Sequence, residues 1–323
     1  MTISIIIAVK TWQKNLEECV AKCLELDYHD FEIVILPDSF IDNDFLKRTK
    51  IPVKVVPTGV VGPGEKRDRA INEASGEIFA FLDDDAYPAK DWLRKAVRNF
   101  EDPLVAAVGG PAITPKNDSF RQKASGAIFE SFLVSAGFVY RYLPGKKQEI
   151  EDYPSCNLFV RKSVMQELGG FNTNFWPGED TKLCLDIVKK LKKKIIYDPE
   201  VVVWHHRRRW FVPHIKQVSN YALHRGYFVK KYPETSFKPA YFIPSLFVLL
   251  LFVGGLISLL SKEFRILYLA AFFLYLFLVF IFSFSKDLRL LPAVFFGIIS
   301  THVAYGVYFL KGLISIKLKE EKV

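Results

Sequence analysis

Three consecutive carboxylates, Asp83-Asp84-Asp85, stand at the end of the apolar run Ile78 to Leu82. A run this short and this continuously apolar predicts a strand buried on both faces, so the acids leave the sheet at its carboxyl edge. That edge is where open α/β sheets bind ligands. Adjacent carboxylates repel one another, and such a cluster is tolerable only when solvated or when a cation neutralises it. A hard divalent ion on one or two carboxylates, with water and diphosphate oxygens in its other positions, is the chemistry implied. The plainer alternative is a solvated acidic turn capping the helix that starts near Lys90. A second acid pair, Glu179-Asp180, follows the aromatic stretch Phe175-Trp176 and opens a helix expected over Lys182 to Leu191. The helix dipole favours carboxylates there, so the pair is either a cap or holds an ionised general base, with the aromatic residues as a sugar platform.

Two further stretches suit a nucleotide. Gly62-Pro63-Gly64-Glu65-Lys66-Arg67-Asp68-Arg69 is a glycine turn leading into a helix that ends near Gly76. Its backbone N–H groups and guanidinium forks suit phosphate, although Gly-Pro-Gly is first of all a turn. Asp38 follows the strand Phe31 to Leu36 and is positioned to bond a base or a ribose, or else to cap a turn.

The elements that must position these residues alternate between strand and helix. Ile3 to Val9 predicts a buried strand and Leu16 to Leu26 an amphipathic helix; with Phe31 to Leu36 they make a nucleotide-binding half-fold by pattern. Ile51 to Val56 adds a strand, Asp91 to Phe100 an amphipathic helix, and Leu104 to Gly110 a return to the sheet. Ala124 to Tyr142 predicts one helix at a membrane surface or along an acceptor groove, with a core helix as the alternative. Asp152 to Arg161 predicts a strand, Lys162 to Leu168 a helix, and Ile195 to Asp198 and Val201 to Trp204 short strands that end at His205-His206-Arg207-Arg208-Arg209-Trp210.

Half of the 323 residues are hydrophobic, enough for one large α/β domain and more. The surplus is membrane: Tyr241 to Leu260, Phe264 to Phe284 and Leu290 to Leu310 are each long and apolar enough to cross a bilayer. The expected layout is therefore a soluble domain over 1–235, spans within 236–312 and a basic tail over 313–323. Ile3 to Val9 is too short for a signal-peptide core, which puts the catalytic half in the cytoplasm of a multi-pass membrane protein. Three crossings would then place Lys311, Lys317, Lys319 and Lys322 outside, against the positive-inside tendency, unless one segment does not cross. Within the last segment, His302 and Tyr305 are expected to face a neighbouring helix or headgroups. The net charge of +9 suits anionic lipid or a phosphate-bearing substrate, and the absence of a recognisable binding motif argues against nucleic acid. The four cysteines lack zinc-site spacing and are expected to stay reduced.

The order of these motifs resembles the family 2 glycosyltransferases in a membrane-anchored form, over roughly Thr2 to Tyr227. The resemblance rests on Ser4 to Val9, Phe31 to Ser39, Gly64 to Ile71, Phe81 to Asp85, Cys156 to Arg161, Gly169-Gly170-Phe171, Gly178-Glu179-Asp180, and Asp198-Pro199-Glu200 running into Val203 to His206. It implies an α/β GT-A nucleotide-diphospho-sugar transferase fold, Rossmann-like with a mixed, mostly parallel sheet, followed by transmembrane helices. It also implies Mn2+ or Mg2+ on Asp83 and Asp85, with Asp84 near the ribose. Asp38 would contact the base with the strand end Ala8 to Lys10 beside it, Arg67 would face the donor, and Asp180 would be the catalytic base. His205 or His206 would complete the metal site or hold the diphosphate. Arg207, Arg208 and Arg209 would hold a lipid pyrophosphate or form a juxtamembrane basic cluster, and Glu179, Trp176 and Trp210 would lie on the acceptor side.

Departures narrow the resemblance. Pro37 stands where many members have an acid, leaving the base open, and His206 stands where polymerising members have the glutamine of QXXRW, which argues against a processive polymerase. The implied reaction is inverting transfer from a nucleotide-diphosphate sugar to a hydroxyl of a membrane-associated, lipid-linked saccharide. The alternatives are transfer to a polyprenyl phosphate, a non-catalytic nucleotide-sugar-binding membrane subunit, and a nucleotide-binding regulator. The last would need no acid at position 180.

Overall fold

The computed structural model describes residues 1–321; Lys322 of the expected basic tail lies outside them. The strands are β1 (Ile3–Ala8), β2 (Phe31–Leu36), β3 (Val53–Val55), β4 (Ile78–Asp83), β5 (Ala86–Pro88), β6 (Val105–Gly109), β7 (Ala112–Ile113), β8 (Gln148–Ile150), β9 (Asn157–Arg161), β10 (Lys194–Tyr197) and β11 (Val203–His205). The α-helices up to the last strand are α1 (Lys14–Cys23), α2 (Asp44–Lys47), α3 (Pro63–Glu73), α4 (Trp92–Val97), α5 (Phe120–Glu130), α6 (Phe132–Ser135), α7 (Lys162–Leu168) and α8 (Glu179–Leu185). Beyond it come α9 (Val212–Lys231), α10 (Pro233–Ser236), α11 (Pro239–Leu249), α12 (Gly255–Ile257), α13 (Lys262–Phe282) and α14 (Leu291–Ile314).

The chain forms two compact units, Met1–Ile113 with Leu143–His206 and the described part of Lys319–Val323, and Thr114–Tyr142 with Arg207–Leu318. The first is built on an eight-stranded sheet in the order β3-β2-β1-β4-β9-β6-β10-β8. β1 pairs parallel with both β2 and β4, so Ala8 lies level with Leu36 on one side and Asp83 on the other. β9 runs antiparallel between β4 and β6, which makes the sheet mixed and mostly parallel, as expected. Ile3, Ile5, Ile7, Ile33, Ile35, Ile78, Ala80 and Leu82 are buried in one core with Leu16, Cys19, Val20 and Cys23 of α1, which explains the near-continuous apolar runs of the central strands.

A smaller sheet, β5-β11-β7, joins the strand expected over Val201 to Trp204, found as β11, to β5 and β7, which were not expected because they are too short to carry a period. Other boundaries shift for local reasons. The strand expected from Asp152 begins only at Asn157, because Pro154 has no N–H for a ladder and Asn157 N–H turns back to the Pro154 carbonyl at 3.5 Å. The single helix expected over Ala124 to Tyr142 breaks at Ser131, which is extended, and again at Ala136, where φ is 44°. There Ser135 Oγ donates to Phe129 O at 2.5 Å, a local hydroxyl bond that competes with the helix ladder, while Ser131 Oγ donates at 3.2 Å to Phe282 O of α13.

In the second unit three helices are long and apolar enough to cross a membrane: Pro239–Ile257, Lys262–Phe282 and Leu288–Ile314. They differ in how much they bury. Half of the most apolar window in the last is buried, against 6% in the middle one. α14 is the hub, packing on α9, α11 and α5. Leu290, Ala293, Val294 and Ile298 meet Ala124, Ala127 and Ile128 of α5. His214 of α9 is fully buried between Ser125 Oγ (2.7 Å) and Thr301 Oγ1 (2.9 Å), and burial lowers its pKa to about 4, so it stays neutral. His302 faces Tyr275 Oη at 3.0 Å and Leu133 O at 2.8 Å.

Candidate active site

The carboxyl edge of β1, β2 and β4 collects the acids of the first unit. Asp83 ends β4; Asp84 and Asp85 turn the chain into β5. β5 pairs antiparallel with β11, setting His205 opposite Ala86, and His206 N–H donates to Asp85 O at 2.9 Å. By this pairing the His205 ring reaches Asp85, with Nε2 2.9 Å from Oδ1. One ligand atom each from Asp83, Asp85 and His205 lie within 4.8 Å of one another. Burial opposes charge on the His205 imidazole, but the Asp85 carboxylate outweighs it and pushes the pKa up to about 10; the Cys156 thiol, also hydrogen-bonded to His205, acts in the same direction.

Buried Asn157 helps hold β11 in place. It donates to Gly110 O (2.6 Å) and Val201 O (2.8 Å) and accepts from Trp92 Nε1 (2.9 Å), tying the chain before β7 and β11 to the main sheet. His206 points elsewhere: its Nε2 lies 3.2 Å from Glu18 Oε2 and its ring 5.6 Å from that of Tyr87. Of the two histidines, His205 therefore stands with the carboxylates. Asp84 bonds Gln13 Nε2.

α3 supplies the basic partners. Pro63 at its first turn suits a helix start, since its fixed φ is already helical. Arg67 is buried and forks: Nη2 donates to Asp83 Oδ1 at 2.9 Å and Nη1 to Glu179 Oε1 at 3.0 Å. Lys66, equally buried, bonds both Val9 O and Asp38. Composition gave no reason to single out Lys66; its place beside Arg67 on a helix at the sheet edge is the signal available. Asp38 N–H donates to Lys10 O at 3.0 Å, which puts Asp38, Lys10 and the β1 end at Ala8 together.

The second acid pair divides. Glu179 is 4% exposed and takes Gly178 N–H at 3.1 Å. Burial pushes its carboxyl up to about 7, and Asp180 pushes the same way against the pull of Arg67. Asp180 is half-buried and accepts from Thr181 N–H (2.8 Å) and Ser155 N–H (3.3 Å). Trp176, three residues before Glu179, is 57% exposed. Arg207 to Trp210 belong to the second unit. There Arg207 is buried, with Nε on Thr114 Oγ1 at 3.2 Å and its guanidinium 5.1 Å from the Tyr142 ring centre. Arg208 and Arg209 are exposed, and Trp210 packs with the α5–α14 core.

Two carboxylates, with an imidazole that would have to give up its proton to ligate, make an oxygen-rich donor set that fits Mn2+ or Mg2+. Comparison with known proteins agrees with this fold. A mannosyltransferase from Pyrobaculum calidifontis, in complex with GDP-Man and Mn2+, superposes with a TM-score of 0.65 over 98% of this chain and 88% of its own, at 18% identity. That likeness establishes the GT-A fold. A pre-mycofactocin glycosyltransferase of Mycobacterium tuberculosis is 28% identical over 148 residues, 46% of this chain, so the match spans only 30% of that protein's length. A dolichyl N-acetyl-alpha-D-glucosaminyl phosphate 3-beta-D-2,3-diacetamido-2,3-dideoxy-beta-D-glucuronosyltransferase of Methanococcus voltae is 24% identical over 244 residues, 71% of this chain and 74% of its own. Residues 4–169, more than half of the chain, match Glycosyl transferase family 2, and the chain belongs to that family.

Proposed function

We propose that this protein is an inverting, metal-dependent glycosyltransferase that moves a sugar from a nucleotide-diphosphate donor to a hydroxyl of a lipid-linked saccharide at the membrane. The observation that carries the reading is the grouping of Asp83, Asp85 and His205 at one sheet edge, with Asp180 on a separate helix. Asp83, Asp85 and His205 would hold a divalent ion, which would supply charge neutralisation for a departing nucleoside diphosphate. Asp38 with Lys66 and the Ala8 to Lys10 stretch receives the base, Asp84 the ribose, and Arg67 the donor side. Asp180 takes the proton of the acceptor hydroxyl as it attacks the anomeric carbon from the face opposite the diphosphate, so a single displacement inverts the configuration. Trp176 offers an exposed ring to the acceptor sugar, whereas Glu179 is buried against Arg67 and does not reach the acceptor. Arg208 and Arg209, both exposed, suit the phosphate of such an acceptor, whereas Arg207 and Trp210 are held in the packing of the second unit. The Methanococcus voltae relative, named for transfer to a dolichyl-phosphate-linked sugar, supports a saccharide hydroxyl as acceptor. The three apolar helices support membrane residence, and the proposed orientation puts the catalytic unit in the cytoplasm.

Membranes carrying the protein, incubated with radiolabelled nucleotide sugars and Mn2+ or Mg2+ and then extracted with organic solvent, test this. Label should enter the lipid phase with one donor and be lost with EDTA or in Asp85→Ala. Asp180→Asn should lower transfer by at least about a hundredfold, the scale of a lost general base, while sparing donor binding. Transfer retained in Asp180→Asn removes its role as base, and label staying in water with every donor removes the lipid acceptor.

A further inference from the structure

Glu179 does not belong to the metal-binding group, yet it is bonded to the residue that bonds Asp83. Arg67 spans the two carboxylates, 2.9 Å to Asp83 and 3.0 Å to Glu179, and is itself 4% exposed. Its Nε is buried without an acceptor among the described residues, so the two carboxylates carry the pairing of this guanidinium. The Arg67 guanidinium facing Glu179 favours its ionised form, against burial, which disfavours it. In this arrangement one positive charge is shared between two acids. Asp83 is left partly unneutralised, which is the state a divalent cation needs.

We propose that Glu179 is a positioning residue that sets the strength of the metal site without touching it, by drawing the charge of Arg67 away from Asp83 and holding the arginine fork against it. The inference rests on the reading of Asp83, Asp85 and His205 as a metal site. Its sign follows from Coulomb's law. When Glu179 becomes neutral, the full charge of Arg67 falls on Asp83; cation binding weakens and binding of a free diphosphate strengthens. Loss of packing alone would weaken both.

Mn2+ binding to the purified full-length chain, read from the electron paramagnetic resonance of the free ion, and metal-free binding of inorganic pyrophosphate, read by calorimetry, separate these cases. Glu179→Gln keeps the shape and an acceptor oxygen. It should weaken Mn2+ binding by roughly tenfold and strengthen metal-free pyrophosphate binding by about threefold. Glu179→Asp keeps the charge and should stay within about threefold of the parent for Mn2+. An unchanged Mn2+ affinity in Glu179→Gln overturns the proposal, as does an equal loss in both variants. Should Glu179→Gln fail to fold, Glu179→Asp decides: a tenfold loss of Mn2+ in a protein with the parent's melting temperature overturns it. If the parent binds no Mn2+, or Asp85→Asn binds it as tightly as the parent, the metal-site reading falls and takes this inference with it; parent binding abolished by Asp85→Asn, with Glu179→Gln unchanged, removes the inference alone.

Discussion

Asp68 illustrates how one residue of the site-bearing helix links burial to pH. It lies on α3 next to Arg67 and accepts Phe171 N–H at 2.7 Å, which joins α3 to the segment leading toward Glu179. Burial pushes its carboxyl from 3.8 up to about 6, against the pull of its hydrogen bonds and of Arg67. The unfolded chain releases this proton near its ordinary pKa while the folded chain keeps it to about 6. Between those values the folded state binds more protons, so the contribution of Asp68 is full below about pH 4 and is lost as the pH rises through about 6. Asp68→Asn retains an acceptor and has no proton to lose. It should flatten that part of the stability profile and leave the variant more stable at pH 7, by on the order of 2 kcal/mol at most. Thermal melts of both proteins across pH 4 to 7 check this, and parallel profiles would refute it.

At the scale of elements, the closest helix contact in the second unit depends on two glycines. A Cβ on Gly226 of α9 would strike Phe309 O of α14, and one on Gly312 of α14 would strike Leu223 O of α9, so the two backbones meet without side chains between them. Small residues at such crossings let helices approach closely, which is how packing is gained where the surroundings are as apolar as the helices. Gly312→Leu should force α9 and α14 apart and destabilise the unit by about 1–3 kcal/mol. The melting temperature in detergent should fall accordingly. An unchanged melt would show that this crossing contributes little.

For the whole molecule, the second unit is discontinuous in sequence, with Thr114–Tyr142 packed among residues of Arg207–Leu318. Ala124, Ala127 and Ile128 of α5 are covered by Leu290, Ala293, Val294 and Ile298, all far along the chain. A truncation ending at residue 235 would leave that face of α5, and the face of α9 that meets α14, open to water. We expect such a fragment to aggregate without detergent, as read by size exclusion with light scattering. A monodisperse, soluble fragment would contradict this.

The sequence by itself determined the strands of the central sheet other than β8, the edge at which Asp83 and Asp85 emerge, and the three apolar helices, because each is written in consecutive residues as a mainly apolar run; β8, Gln148–Ile150, carries no such run and was not expected. The order of the motifs carried the family. The pairing of β5 with β11 was not legible: it joins residues about 120 positions apart through strands of three residues, too short to show a period, and it alone brings His205 rather than His206 to Asp85. The division of labour between Glu179 and Asp180 was equally hidden. The two acids are adjacent and alike in sequence, and only full burial against Arg67 for one and a half-buried place beside Ser155 for the other separate them. Local patterns report what a segment prefers. Which side chains share one guanidinium, or one cation, depends on contacts between segments that only the tertiary fold brings within a few ångströms.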